Sequence, residues 1–321
     1  MQPNFLRQAA LLLALSFSLC SSGQSLSAKQ KTTVIQDIAK LIATNYVLPE
    51  KGGQIASHIQ IANFKGEFNK AKSWDDFDRA VTNSLQKYSG DKHLYVKNDP
   101  EMVKNLRAQS KTEKGMMNAG PENAEDNHGI SEVKILEGNI GYLRLTSIEI
   151  NERSLPVVYE AMRKMENTNA LVIDLRNNGG GGSEKGAVLE SYFLDAGIPL
   201  LDFTSRNGVM RTDSTVSWLT EKKYTKPLYI LIDKNTASAA EALAFVLQQK
   251  KRAKIVGETS AGAAYMNDWF VLNDDNYVSV STSSPSLHGT SQTWEGTGIE
   301  PDIRIKKGDP LAALLEKIPR P

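Results

Sequence analysis

Residues 228–245 read LYILIDKNTASAAEALAF, and the fold turns on this stretch. Leu228-Tyr229-Ile230-Leu231-Ile232 is an apolar run with the length and β-branched character of a buried strand. Asp233-Lys234-Asn235-Thr236 follows as a polar turn. Ser238-Ala239-Ala240-Glu241-Ala242-Leu243-Ala244 then opens a helix rich in strong helix formers. A serine at the mouth of a helix has two roles open to it. It can cap the helix, its oxygen accepting an N–H of the first turn. It can also be a nucleophile, with neighbouring N–H groups and the helix dipole stabilising a developing oxyanion. The stretch alone leaves both open.

Working outward, Ala170–Leu175 reads as another buried strand, and Arg176-Asn177-Asn178 leads from it into four glycines, 179–182. Such a loop lies at the carboxyl edge of a parallel sheet, where sites collect. Glycines there let backbone N–H groups approach a ligand. Phosphate binding does not fit, because no Lys-Ser/Thr follows and the G-x-G-x-x-G spacing is missing. Val133–Leu136 and Ile140–Leu145 read as strands joined by a turn, and Leu155–Met165 as an amphipathic helix. Gly186–Leu194 is helical in pattern, and Leu200–Ser205 with Val209–Trp218 a β pair. Lys254–Gly257 starts another strand, Trp269–Leu272 and Tyr277–Val280 make a hairpin, and Leu311–Ile318 is a closing helix. Strands alternating with helices predict an α/β domain over 129–321, with a mainly parallel sheet decorated by hairpins.

Upstream, Thr32–Tyr46 carries a helical apolar stripe, Pro49 punctuates it, and Ile55–Ile61 suggests a second helix. Ser73-Trp74-Asp75-Asp76 looks like a capped start for a third. Together, residues 28–96 form a small N-terminal helical bundle, ending in a turn and short strand, Ser89–Val96. Residues 97–128 are a polar connection over the surface. Residues 1–23 read as a signal peptide, with Arg7, an apolar core Ala9–Leu19, and small residues before Gln24. That core is too short to span a bilayer, and no other transmembrane candidate follows. The single cysteine, Cys20, falls inside the leader. Lipid attachment there is the rival reading, but Leu19 is bulky where such signals carry a small residue, so simple export to the periplasm or medium is expected. With 38 basic against 37 acidic residues, nothing favours a nucleic acid partner. No His/Cys/Asp/Glu set has metal-site spacing, so no metal or other cofactor is expected.

Four motifs now occur in register: Asp174–Gly181, Thr236–Glu241, Gly257–Gly262 and Gly296–Asp302. Together they resemble the C-terminal-processing (tail-specific) serine peptidases. The N-terminal stretches Asn45-Tyr46-Val47 and Asp91-Lys92-His93-Leu94 are similar to the branch containing the interphotoreceptor retinoid-binding protein repeats and tricorn-like core proteases. The resemblance covers nearly all of the chain after the leader. It implies a crotonase/ClpP-like α/β catalytic domain with Ser238 as nucleophile and an oxyanion hole from Ala239 and the Gly179-Gly180 loop. The lysine of the Ser–Lys relatives is replaced by Ala263, which takes no proton, so another base is needed. The matching position in the tricorn-like branch makes that base His93, with Glu295 as the carboxylate that orients it. His288 is the rival base, while His58 and His128 are poor candidates. The implied activity is peptide hydrolysis on peptides or unfolded proteins. The alternative is an inactive module of the same fold that binds an apolar, retinoid- or lipid-like ligand. No PDZ-like insertion precedes the core, which argues against tail specificity.

Overall fold

The computed structural model describes residues 26–109, 124–305 and 308–319. The leader with Cys20 and residues 110–123 of the polar connection lie outside them. Helix α1 (Ala28–Asn45) begins with a reciprocal cap, Ser27 Oγ accepting the Gln30 N–H and Gln30 Oε1 the Ser27 N–H. Helix α2 (Pro49–Phe64) is longer than its apolar stripe. Pro49 starts it rather than merely separating it from α1, because proline's missing N–H costs nothing in a first turn. Helix α3 (Trp74–Ser89) is capped by Ser73 Oγ and stops at Gly90, which is left-handed. The three helices bury Ile38, Ile55, Ile59, Phe77 and Leu85 among themselves. Strand β1 (Tyr95–Asn98) follows, then helix α4 (Pro100–Gln109), so the polar connection holds a helix.

The core continues with β2 (Ile130–Leu136), β3 (Ile140–Leu145), β4 (Ile148–Ile150), α5 (Leu155–Met165), β5 (Ala170–Asp174) and β6 (Gly181–Ser183). Then come α6 (Val188–Ser191), β7 (Pro199–Ser205), β8 (Gly208–Ser214), β9 (Leu228–Ile232) and α7 (Ala239–Gln249). The chain closes with β10 (Lys254–Gly257), β11 (Met266–Val271), β12 (Asn276–Leu287), β13 (Ile303–Arg304) and α8 (Pro310–Leu315). The six-stranded sheet runs β13-β10-β9-β5-β3-β2, parallel except for the β2–β3 hairpin. Helix α6 is a single turn, shorter than the Gly186–Leu194 pattern suggests.

The expected hairpins are not decorations. They join β1 in a second, antiparallel sheet ordered β1-β12-β7-β8, with β11 also on β12. Strand β12 runs seven residues past Val280, to Leu287. Its Ser279, Ser281 and Ser283 are buried, so the hydrophobic alternation fades while the ladder continues. This strand is the hinge between the two halves. One end carries Val278 and Val280 into the helical bundle, and the other pairs with β7. In that way the loop before β1, which carries His93, is brought to the carboxyl edge of the parallel sheet.

Candidate active site

Ser238 sits between β9 and α7 with φ 54° and ψ −123°, a conformation that side chains disfavour. Several hydrogen bonds hold it there. Thr236 Oγ1 donates to Leu175 O at 2.8 Å, and the Ala237 N–H to Asn178 O at 2.9 Å, tying the serine turn to the glycine loop. Asn178 is fully buried and bolts that loop down in turn. Its Nδ2 donates to Leu145 O at 2.9 Å and its Oδ1 accepts the Gly180 N–H at 2.9 Å.

Gly180 itself is required by shape. At φ 104°, an added Cβ would lie 2.7 Å from Ser238 Cβ and 3.1 Å from Ala239 N. The expectation that Gly180 lends an oxyanion N–H therefore needs changing, since that N–H already serves Asn178. The Ala239 and Gly179 N–H groups have no protein acceptor among the described residues.

The His93 N–H donates to Asp91 Oδ1 at 2.8 Å, and Ser279 Oγ on β12 donates to His93 O at 2.6 Å. The imidazole Nδ1 is buried without a partner among the described residues. Burial lowers the His93 pKa from its ordinary value; Asp91 and Glu241 oppose that shift and Lys92 adds to it. The neutral, proton-accepting form is therefore favoured at neutral pH.

Glu295 reaches the same region but not the imidazole. Its Oε2 accepts the Ala264 and Tyr265 N–H groups at 2.7 and 3.0 Å. Burial, with help from Asp91, pushes its carboxyl up to about 7. No hydrogen bond joins Ser238 to His93, or His93 to Glu295, among the described residues. Asp91 is the bridge between them. It is fully buried, accepts the Tyr46 hydroxyl at 3.0 Å, and acts electrostatically on His93, Glu295 and Tyr265.

His288 goes elsewhere. Its Nδ1 lies 2.9 Å from Asp202 on β7, and it does not line the Ser238 cavity. His58 stacks on Tyr88 and contacts Ser84 Oγ, and His128 pairs with Glu149 at 2.8 Å. Ser238 and Ala239 open onto a cavity of about 160 Å³. Its walls are mostly apolar and include Ile148, Leu201, Phe203, Leu243, Met266 and Trp294. Glu190 lines it as well, pushed up to about 7 by burial and by Asp213.

Glu241, Asp91 and Asn178 were not singled out from sequence. The Ser-x-x-Glu spacing of Ser238 and Glu241 is a capping-box signal that could have flagged the first. No set of three or more metal-ligating side chains is gathered among the described residues, and no described helix is long and apolar enough to cross a membrane.

A strained serine at a helix mouth, a glycine loop pressed against it and an apolar side-chain cavity thus come together after β5 and β9. Family comparison agrees: the description of peptidase family S41 matches residues 139–305, just over half of the chain. That of the N-terminal domain of peptidase S41 in eukaryotic IRBP matches 25–133. The chain belongs to peptidase family S41. It is 31% identical over 175 residues to carboxyl-terminal-processing peptidase 2, chloroplastic, of Arabidopsis thaliana, across 53% of this chain and 33% of that one. It is 34% identical over 182 residues to a carboxy-terminal-processing protease of Bartonella bacilliformis, across 54% and 40%. The matched region thus spans a third to two-fifths of these relatives' lengths. Among solved structures, the photosystem II D1 C-terminal processing protease shares the fold at TM-score 0.54 and 17% identity, covering 86% of this chain and 93% of that one.

Proposed function

We propose that this chain is an exported serine-type peptidase in which Ser238 is the nucleophile and His93 its base. The observation that carries the reading is Ser238 itself, held at positive φ at the start of α7 and opening directly onto the apolar cavity. A folded chain keeps a strained serine, at about 1–3 kcal/mol, where the geometry serves chemistry. Ser238 Oγ attacks the peptide carbonyl while its proton passes to the His93 imidazole. The Ala239 and Gly179 N–H groups receive the oxyanion. His93 returns the proton to the leaving amine, and water then hydrolyses the acyl-enzyme by the same route. The Ser238–His93 hydrogen bond closes on the bound substrate, as catalytic hydrogen bonds commonly do. Glu295 shapes the wall of the site through Ala264 and Tyr265.

The cavity takes the side chain before the scissile bond, and its lining selects an apolar one. The alternative, carriage of an apolar ligand, fits the lining but not the size. At about 160 Å³ the cavity is below the roughly 300–1,000 Å³ of small-molecule sites.

A fluorophosphonate probe tests the base. The parent is expected to label, His93→Ala to lose about 10²–10⁴-fold in labelling rate, and His288→Ala to label as the parent does. A folded parent that takes no label contradicts the peptidase reading.

The pH profile tests the cavity. With an apolar side chain before the scissile bond, kcat/KM is expected to rise with pH as His93 deprotonates, at a pH lowered from the ordinary imidazole range by burial. It then falls near pH 7 as Glu190 ionises, because a carboxylate in an apolar cavity opposes an apolar guest. Glu190→Gln removes the falling limb and leaves the rising one. A falling limb unchanged in that variant contradicts the assignment.

A further inference from the structure

His93 and Ser238 come from different halves of the molecule, so attack depends on how the halves are fixed to one another. The bundle is held to the second sheet by the ladder between β1 and β12 and by the Val47 N–H, which donates to Ser281 O at 2.8 Å. Asn276 Nδ2 on the buried Asp78 and Ser279 Oγ on His93 O add to that hold. None of these contacts touches the nucleophile's side of the site. Lys92, the residue before His93, does reach it. Its Nζ donates to Ala261 O at 2.5 Å, in the turn between β10 and β11. Packing reinforces this join at the end of the same turn, where the Tyr46 ring meets Tyr265 edge-on at 6.2 Å.

The turn that receives Lys92 is fixed. The Ala261 N–H donates to Thr236 O at 2.9 Å, two residues before Ser238. The Gly262 and Ala263 N–H groups donate to Glu241 Oε1 and Oε2 at 2.7 and 2.9 Å, and the Ala264 N–H donates to Glu295. With these successive N–H groups all bonded, Ala261 O is held in one place. Lys92 is anchored from its own side, since Gln86 Nε2 on α3 donates to Lys92 O at 3.0 Å. One lysine side chain and one peptide unit therefore join the base's loop to the nucleophile's turn. The His93 Nδ1 has no partner among the described residues, so the ring is placed by the backbone that carries it.

We propose, resting on the serine-peptidase reading, that Lys92 is a positioning residue whose bond to Ala261 O holds the His93 imidazole within reach of Ser238 Oγ. Lys92 takes no proton itself. As Ser238 Oγ bonds to the carbonyl carbon, its proton passes to His93, and that transfer needs the two groups at hydrogen-bond distance. A misplacement of about 1 Å at this point costs about 10²-fold in rate. Without the latch, the base's loop stays on β12 but is released from the nucleophile's turn. Lys92 is exposed, so its replacement leaves both buried cores untouched.

Saturation kinetics of fluorophosphonate labelling on the full-length protein test this role. Lys92→Met keeps the side-chain length and deletes the donor. It is expected to lower the limiting labelling rate about 10²-fold. The half-saturating concentration is expected to stay with the parent's, because Lys92 does not line the cavity. Lys92→Arg keeps a donor that gives up no proton, and it is expected to recover about tenfold of the loss. If Lys92→Met does not fold, Lys92→Cys decides the matter, slow as it stands and restored when aminoethylation of the new thiol rebuilds a lysine-like donor. The one native thiol, Cys20, is controlled by treating the parent in parallel. A limiting rate in Lys92→Met within about twofold of the parent overturns the proposal. So does a loss confined to the half-saturating concentration, a Lys92→Arg protein no faster than Lys92→Met, or an aminoethylated variant that stays slow. A parent that takes no label sinks the peptidase reading and this proposal with it, whereas a labelled parent with unaffected variants sinks this proposal alone.

Discussion

Ser238→Ala is expected to abolish peptide hydrolysis, a fall of about 10⁶-fold in kcat of the kind seen when a serine nucleophile is removed. The reason is local. Ser238 carries its hydroxyl at the start of α7, next to the Ala239 N–H, against the glycine loop and at the apolar cavity. Ser238→Gly separates this account from the simple helix-cap reading. The serine backbone lies at φ 54° and ψ −123°, which glycine adopts freely and serine only under strain. On the present account the glycine variant is inactive yet more stable by about 1 kcal/mol, through relief of that strain. If Ser238 were only a cap, glycine would cost a few tenths of a kcal/mol and leave activity unchanged. Thermal melting alongside a hydrolysis assay reads both quantities, and an active glycine variant contradicts the account.

Gly180→Ala is expected to have the next largest effect. The new methyl would lie 2.7 Å from Ser238 Cβ and 3.0 Å from Ala237 O, at a φ of 104° that alanine resists. Either the glycine loop or the serine turn has to move. Displacements of this size next to reacting atoms cost about 10²-fold in rate. The fold has fewer reasons to fail, because Asn178 still anchors the loop to Leu145 through its side-chain amide. A folded protein with kcat/KM down about 10²-fold is the expected result. Wild-type activity in Gly180→Ala would mean that the loop does not define the site.

Much of this architecture was legible in the sequence, because the decisive signals are local. The Leu228–Ile232 run and the alanine-rich helix after Ser238 gave β9 and α7 with little ambiguity. The glycine run after Asp174 marked the loop that packs on the serine. What escaped notice depends on long-range pairing. Strand β12 buries Ser279, Ser281 and Ser283, so hydrophobic alternation stops at Val280 although the ladder goes on to Leu287. The second sheet, which positions His93, was therefore seen only as separate hairpins. Pro49 breaks the apolar stripe in the sequence, yet it is the first residue of a helix. The resemblance makes Glu295 the carboxylate that orients His93; the two backbone N–H groups its Oε2 accepts come from residues distant in sequence, which no local pattern announces. Glu241 shows the reverse case. Its spacing from Ser238 was visible, but the Gly262 and Ala263 donors that give it meaning come from the neighbouring turn.

The most direct test of the central claim is to locate the covalent adduct. Protein without the leader is treated with a fluorophosphonate, digested, and its peptides are identified by mass spectrometry. A single adduct on Ser238, formed about 10²–10⁴-fold more slowly when His93 is replaced by alanine, is the predicted result. An adduct on another residue, or an unmodified Ser238 in folded protein, would contradict it.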